Sequence, residues 1–440
     1  MNFILLSGGS GKRLWPLSND VRSKQFLKIL KDERGQYESM VQRVYRQIHT
    51  AVPEAGVTIA TGKKQVSALV NQLGGKVSIC VEPARRDTFP AIALAAAYLA
   101  CEKRVGADES FAVCTVDPYV DAEYFAAIAR LAAEAEHGKG NLYLLGVNPT
   151  YPSEKYGYMI PTESGTVMRV ASFQEKPVKE RAEEYIAQGA LWNCGVFAFR
   201  LGYLLNIVQQ HFGTTDYWKL YRNYEALEKI SFDYAVVEKE TSVYCMQYDG
   251  MWKDIGTWNT MCEEMAEPVI GNAALDDGCE NTTVINELSI PVLCMGVKNA
   301  VVAVSGDGIL VSDKVQSSYI KPYVDKIESR VMYAEKSWGS FTVLDVQPHS
   351  MTIRILMRAG HQLTYHTHEH RDEVWTVISG TGYTVVDGMR QAVRPGDVIT
   401  MSAGCKHTIH ADTEMQVIEV QLGSEIDVED KMVHDLEEDV

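Results

Sequence analysis

The sequence predicts an α/β chain in three parts: a Rossmann-like unit with a mixed, mostly parallel sheet over residues 1–266, a short β-solenoid-like connector over 267–330, and a C-terminal all-β barrel over 331–440 that ends in an acidic tail. Three observations carry this. Up to about residue 264, short β-rich apolar runs alternate with longer amphipathic stretches, the mark of a parallel sheet with helices on both faces. Residues 267–325 then hold short strands roughly ten residues apart, broken by Asn, Gly and Asp turns, with no helix of useful length fitting between them. From about residue 340 the strands continue with glycine punctuation, which suggests a closed barrel or jelly roll.

Element by element, residues 3–6, 57–60, 76–81, 110–116 and 142–147 read as strands, and residues 37–49, 88–105 and 122–138 as helices. Ligands of such a sheet gather at the first strand-to-helix turn. The connector strands are 283–285, 292–295, 300–304 and 309–311. Those of the barrel are 342–346, 352–357, 373–379, 382–386, 397–401 and 416–421.

A formal net charge of −16 leaves no overall basic field for nucleic acid or an anionic membrane, so any phosphorylated substrate must be held by a local basic cluster. Part of the excess sits in residues 425–440, where eight acids face Lys431 alone and read as a solvated end. Nine cysteines, none in a Cys-x-x-Cys pair, match reduced thiols, and no apolar run approaches the roughly 20 residues that cross a bilayer. Glycines followed by Lys12 and Arg13 are the wrong order for a signal peptide. A cytoplasmic location is expected. Barrel edges and the connector offer surfaces for a homodimer.

Leu6-Ser7-Gly8-Gly9-Ser10-Gly11-Lys12-Arg13-Leu14 follows a strand and precedes Arg22 and Lys24. It reads as an anion site, because glycines let backbone N–H groups approach phosphate oxygens and Lys12, Arg13 and Lys24 supply charge. No Gly-Lys-Ser/Thr closes it in the Walker manner.

The run Gly8 to Ser18 with Ser23-Lys24-Gln25-Phe26-Leu27 resembles the signature of sugar-1-phosphate nucleotidyltransferases, in particular bacterial mannose-1-phosphate guanylyltransferases. Further segments resemble that family in order: Glu82-Pro83-Ala84-Arg85-Arg86-Asp87-Thr88, Phe173-Gln174-Glu175-Lys176-Pro177, Trp192-Asn193-Cys194-Gly195, Asp233-Tyr234-Ala235, and Trp252-Lys253-Asp254-Ile255-Gly256. The chemistry needs a sugar phosphate oxygen in line with the α-phosphorus and cations that neutralise the pyrophosphate leaving group. Asp117 and Asp254 are the candidate pair for Mg²⁺, a hard cation that prefers carboxylates, waters and phosphate oxygens.

The resemblance implies GTP and α-D-mannose 1-phosphate as substrates, with Arg13 and Lys24 at the triphosphate. It implies Leu6, the glycine loop, Glu82, Arg86, Asp87 and Thr88 on the nucleotide side. Gly157, Glu175, Lys176, Asn193 and Gly195 fall on the sugar-phosphate side. The family's Asn, His and Ser are replaced here by Asp87, Pro118 and Cys194. A carboxylate accepts from guanine N1–H and N2–H₂, so Asp87 leaves GTP compatible.

Gly360, His366, His368, Glu373 and Gly380, then Gly396 and His407, reproduce the spacing of the two cupin motifs, without the second motif's proline (Ser402) and final asparagine (Ala411). Three imidazoles and a carboxylate suit Zn, Fe, Mn, Co or Ni. Fusion of a nucleotidyltransferase to a cupin resembles bifunctional enzymes that carry a type II mannose-6-phosphate isomerase, whose signature aligns without gaps from Gly360 to Trp375. His366 stands where that family has glutamine, Arg358 and Arg371 are candidate phosphate contacts, and the isomerases' Tyr-Gly-Arg ending is missing. The expectation is therefore a guanylyltransferase with a metal-binding cupin that interconverts mannose and fructose 6-phosphates. Another sugar 1-phosphate or nucleoside triphosphate with a non-isomerase cupin, and a sugar-nucleotide sensor, are the alternatives.

Overall fold

A computed structural model describes residues 1–9, 11–327, 330–424, 426 and 430–435. Ser10 and most of the acidic tail lie outside the described residues. The chain divides into two compact units. The first comprises 1–13, 23–66 and 75–266, and the second 14–22, 67–74 and 267–440.

The first unit is built on a nine-stranded sheet. Its first four neighbours, Ser78–Glu82, Gly56–Gly62, Asn2–Leu6 and Ser110–Thr115, run parallel, with Leu6 opposite both Ala60 and Thr115. Leu191–Arg200 then enters antiparallel beside Ser110–Thr115. Phe3, Ile4, Leu5, Phe111 and Val113 are fully buried, as a strand covered on both faces requires. The helix Thr88–Cys101 is apolar all round and almost wholly buried, its alanines allowing close approach to the sheet.

Among the helices, two boundaries depart most from the sequence reading. The helix expected at 37–49 spans Met40–Ala51, because Ser39 and Gln42 form a reciprocal capping box and Tyr37–Glu38 pairs as a strand instead. The helix expected at 88–105 ends at Cys101.

In the second unit, Val269–Gly271, Thr283–Asn286 and Ala300–Ser305 stack as parallel strands, and Ala273–Leu275 pairs in parallel with Val292–Cys294. The left-handed residues Asn281 and Asn299 are hydrogen-bonded to each other at 2.9 Å between successive turns. The signature residues 14–22 pack within this unit. Arg22 makes a two-pronged 2.8 Å pair with Glu287, Asn19 donates to Asp307 at 2.7 Å, and the Trp15 indole lies over Gly308. The C-terminal part forms two antiparallel sheets around Trp375, Met357, Ile409 and Val417.

Gly339 sits where two of these strands touch. Its φ is +150°, and an added Cβ would lie 1.9 Å from the Leu356 carbonyl oxygen. Gly339→Ala should therefore destabilise the barrel by about 2 kcal/mol or more, as backbone rather than a side chain must move. Calorimetric melting of the full chain checks this, and an unchanged profile would show that the strand pair accommodates a Cβ.

Candidate functional site

Two sites emerge, one in each unit. In the first, the turn after Asn2–Leu6 is held by its carbonyls. Ser7 O accepts from Gln25 Nε2 at 2.9 Å and Thr61 Oγ1 at 3.1 Å, and Gly9 O accepts from Ser23 Oγ at 2.8 Å and Gln65 Nε2 at 3.1 Å. Binding the carbonyls on the protein side suits a loop whose amides serve an anion. Glu82 approaches the same loop: an added Cβ on Gly8 would stand 3.3 Å from Glu82 Oε1. Burial pushes the Glu82 carboxyl up to about 7 against a hydrogen bond from Tyr224. A carboxyl raised in this way carries less charge against a neighbouring phosphate than an ordinary glutamate would.

The strand order brings the two carboxylates together. Asp117 follows Ser110–Thr115 after Val116, and Asp254 ends Trp252–Asp254, which pairs antiparallel with Pro118–Val120 so that Asp254 is opposite Pro118. Lys24 Nζ lies 3.2 Å from Asp117 Oδ2 and donates to the Ile255 carbonyl at 3.3 Å. An added Cβ on Gly256 would be 3.4 Å from Asp254 Oδ1 and 3.8 Å from Arg13 Nη1, so Arg13 and Asp254 converge on that glycine. Asp117 is 40% exposed, which fits Mg²⁺, an ion that keeps several waters.

Both carboxylates line a cleft of about 200 Å³ together with Gly157, Glu175, Asn193 and Gly195. A bulge in Leu191–Arg200 between Asn193 and Phe197, with Gly195 at φ +70°, turns Asn193 so that its Nδ2 donates to Asp233 at 2.9 Å. Gly157 admits Glu175, whose Oε2 would lie 2.7 Å from an added Cβ. Lys176 holds the left-handed φ of +46°, strain that is usual at functional positions, and its ammonium sits 2.6 Å from Glu175 Oε1. Burial pulls that ammonium down, but Glu175 and Asp233 outweigh it and hold it above the ordinary lysine value.

Other expected residues bond elsewhere. Arg86 donates to the Glu225 carbonyl, Asp87 caps the Thr88–Cys101 helix through Thr88 N at 2.8 Å, and Thr88 Oγ1 accepts from Phe232 N at 2.8 Å. Sequence reasoning assigned no role to Asp233, Tyr156 or Lys155, all of which line the cleft. The signal for Asp233 was its motif. It opens a short π-helix, Asp233–Val237, and burial with the adjacent Glu175 pushes its carboxyl up to about 7.

In the second unit the ligating atoms of His366, His368, Glu373 and His407 all lie within 4.8 Å of one another, and all four residues are buried. Each histidine is oriented by its other ring nitrogen: Nδ1 of His366 faces the Thr364 carbonyl at 2.6 Å, that of His407 the Cys405 carbonyl at 3.0 Å, and that of His368 the Asp430 carbonyl. These contacts place the proton on Nδ1 and leave Nε2 as the ligating lone pair. His407 Nε2 and Glu373 Oε2 approach to 3.2 Å yet have no hydrogen-bond partner among the described residues, the arrangement of two ligand atoms aimed at a shared cation. Burial and the Lys431 charge lower His366 to about 3, so it stays neutral and able to ligate. The donor set fits a divalent transition metal.

Arg371 is committed to this cluster, with Nε 3.0 Å from Glu373 Oε1 and Nη2 3.1 Å from His368 Nε2. Arg358 reaches the Asn71 carbonyl at 3.3 Å instead.

The Glu82 carboxyl sets a pH dependence. Its folded value of about 7 exceeds the ordinary 4.5, so its contribution to stability is complete below about pH 4.5 and is lost as the pH rises through about 7. Relative to Glu82→Gln, the wild type should lose on the order of 2–3 kcal/mol between pH 5 and 8. Denaturant titrations of both proteins across that range check it, and parallel curves would show that Glu82 is ionised throughout.

The Nucleotidyl transferase family matches residues 2–268, and the Mannose-6-phosphate isomerase C-terminal family matches residues 325–437. A putative mannose-1-phosphate guanylyltransferase of Vibrio cholerae is 31% identical over 97% of this chain and 98% of its own length. The xanthan biosynthesis protein XanB of Xanthomonas campestris is 31% identical over 97% of this chain and 96% of its own. A crystal structure titled mannose-1-phosphate geranyltransferase, from Thermus thermophilus, superposes with a TM-score of 0.62 at 29% identity, over 74% of this chain and 98% of that one. With the glycine loop, the paired carboxylates and the cupin cluster in one chain, this protein belongs to the nucleotidyl transferase family, in the mannose-1-phosphate guanylyltransferase group that carries a C-terminal mannose-6-phosphate isomerase domain.

Proposed function

We propose that the chain transfers a guanylyl group from GTP to α-D-mannose 1-phosphate, giving GDP-mannose and pyrophosphate. The observation that carries this reading is that Asp117, paired with Lys24, and Asp254, which converges with Arg13 on Gly256, line one cleft. A phosphate oxygen of the sugar attacks the α-phosphorus, the new O–P bond forms, and the bond to the β-phosphate breaks to release pyrophosphate. Mg²⁺, held by Asp117 and Asp254, supplies neutralisation of the phosphate charge. The loop amides, Arg13 and Lys24 hold the triphosphate. Lys176 aligns the sugar phosphate, and Glu175 and Asn193 accept from or donate to the sugar hydroxyls. Residues 1–266 carry this reaction and 267–330 serve as a β-solenoid connector, a reading supported by the parallel stacking of its strands.

We further propose that residues 331–440 interconvert mannose 6-phosphate and fructose 6-phosphate, with Zn, Fe, Mn, Co or Ni on His366, His368, Glu373 and His407. The three Nδ1-oriented imidazoles support it. A cytoplasmic location is supported by the sequence pattern of nine cysteines with no Cys-x-x-Cys pair.

Pyrophosphate release with Mg²⁺, over four nucleoside triphosphates against mannose, glucose, fucose and N-acetylglucosamine 1-phosphates, tests the first reading. Activity confined to GTP with mannose 1-phosphate is expected, and a better pair would reassign the substrates. Asp117→Ala should lower turnover by about 10³-fold or more with unchanged melting, whereas near-normal turnover removes Asp117 from the mechanism. His366→Ala should lower metal retained by the purified protein at least about tenfold while leaving pyrophosphate release intact. Full metal content by elemental analysis would remove His366 from the ligand set.

A further inference from the structure

The cupin cluster is crossed by a short strap, residues 430–434, that the reaction as described does not use. The strap is pinned at both ends. The Asp430 carboxylate accepts from the amides of Glu369 at 2.9 Å and His370 at 3.1 Å, and its carbonyl accepts from His368 Nδ1. Beyond it, Met432 and Val433 pair antiparallel with Thr367 and His366, His434 N donates to the Tyr365 carbonyl at 2.9 Å, and the His434 ring meets Thr367 Oγ1 at 3.0 Å. Lys431, between these anchors, is exposed to solvent as a residue. Its ammonium nevertheless lies within electrostatic reach of Glu419, Glu373, Lys336, Arg371 and His366.

Two cations, Arg371 and Lys431, thus stand beside the metal ligands, and Lys336 lies within electrostatic reach of Lys431, in a chain of net charge −16. Arg371 is engaged by Glu373 and His368, whereas Lys336 Nζ stands 5.7 Å over the Phe341 ring and Lys431 feels Glu419 and Glu373 through their charge alone. Crowding by the barrel, and for Lys431 the Lys336 and Arg371 charges as well, hold both ammonium groups below the ordinary lysine value. Gathering like charges in a poorly hydrated place is unfavourable, and a bound dianion relieves it.

Resting on the isomerase reading, we infer that Lys431, carried over the cluster by the pinned 430–434 strap and joined by Lys336, binds the phosphate of a sugar phosphate whose carbonyl end faces the metal ligands. The separation of roles follows from the substrate: the reacting carbons and the phosphate are at opposite ends of a six-carbon chain, so the phosphate needs its own cation at the mouth rather than among the ligands. Pinning by Asp430 and His434 fixes the lysine backbone and lowers the entropy lost on binding.

The test uses the metal-loaded full chain with GDP-mannose present to fill the first site, and mannitol 1-phosphate, which has no carbonyl to isomerise, as the probe. Calorimetry should show affinity reduced about tenfold or more by Lys431→Met and largely restored by Lys431→Arg, with unchanged metal content and unchanged GDP-mannose binding. Inorganic phosphate should bind more weakly than mannitol 1-phosphate, and equal affinity would overturn the assignment to a sugar phosphate. Affinity within twofold of wild type in Lys431→Met would overturn the inference alone. A wild type that binds no mannitol 1-phosphate would instead overturn the isomerase reading beneath it.

Discussion

The transfer site depends on three neighbouring strands running the same way. Because Asn2–Leu6 lies parallel between Gly56–Gly62 and Ser110–Thr115, with Leu6 level with Ala60 and Thr115, their C-terminal ends open at one edge of the sheet. The glycine loop and Asp117 leave that edge side by side. Asp254 comes to them from far along the chain through the two-strand ladder with Pro118–Val120. A slip of one residue in that ladder would turn Asp254 away from Asp117, since side chains alternate faces along a strand.

The cupin cluster rests on a different constraint. Its histidines are fixed by backbone carbonyls two residues before them, for His366 and His407, and by Asp430 for His368. Below the ligands, Glu419 accepts from Trp375 Nε1 at 3.1 Å and Gln421 Nε2 at 2.5 Å, and burial followed by the Glu373 charge pushes it up to about 8. A second ionised carboxylate does not then compete with Glu373 for a cation.

Much of this was legible in the sequence because its determinants are local. Alternation of strands and helices, the glycine loop, and the histidine spacing at 366, 368 and 407 with Glu373 are patterns within short windows. What was hidden is non-local. Gln65, which holds the loop through Gly9, sits in a segment without a motif, and Asp233 reaches the cleft only through a π-helical turn. The start of the helix at Met40 was obscured because the apolar rhythm continues upstream of the Ser39 cap. Arg86 and Asp87 looked like ligand contacts from their motif, whereas their hydrogen bonds run to Glu225 and Thr88.

The membership of residues 14–22 bears on how the chain can be divided. The signature run is continuous in sequence, but its second half packs with Glu287, Asp307 and Gly308. A shortened gene ending near residue 266 would keep the motif intact on paper. Its product would leave the Trp15 indole without Gly308 and the Arg22 guanidinium without its carboxylate partner. Modularity in this molecule therefore belongs to the folded contacts rather than to linear segments, and a cut near residue 266 would part residues 14–22 from the strands they pack on.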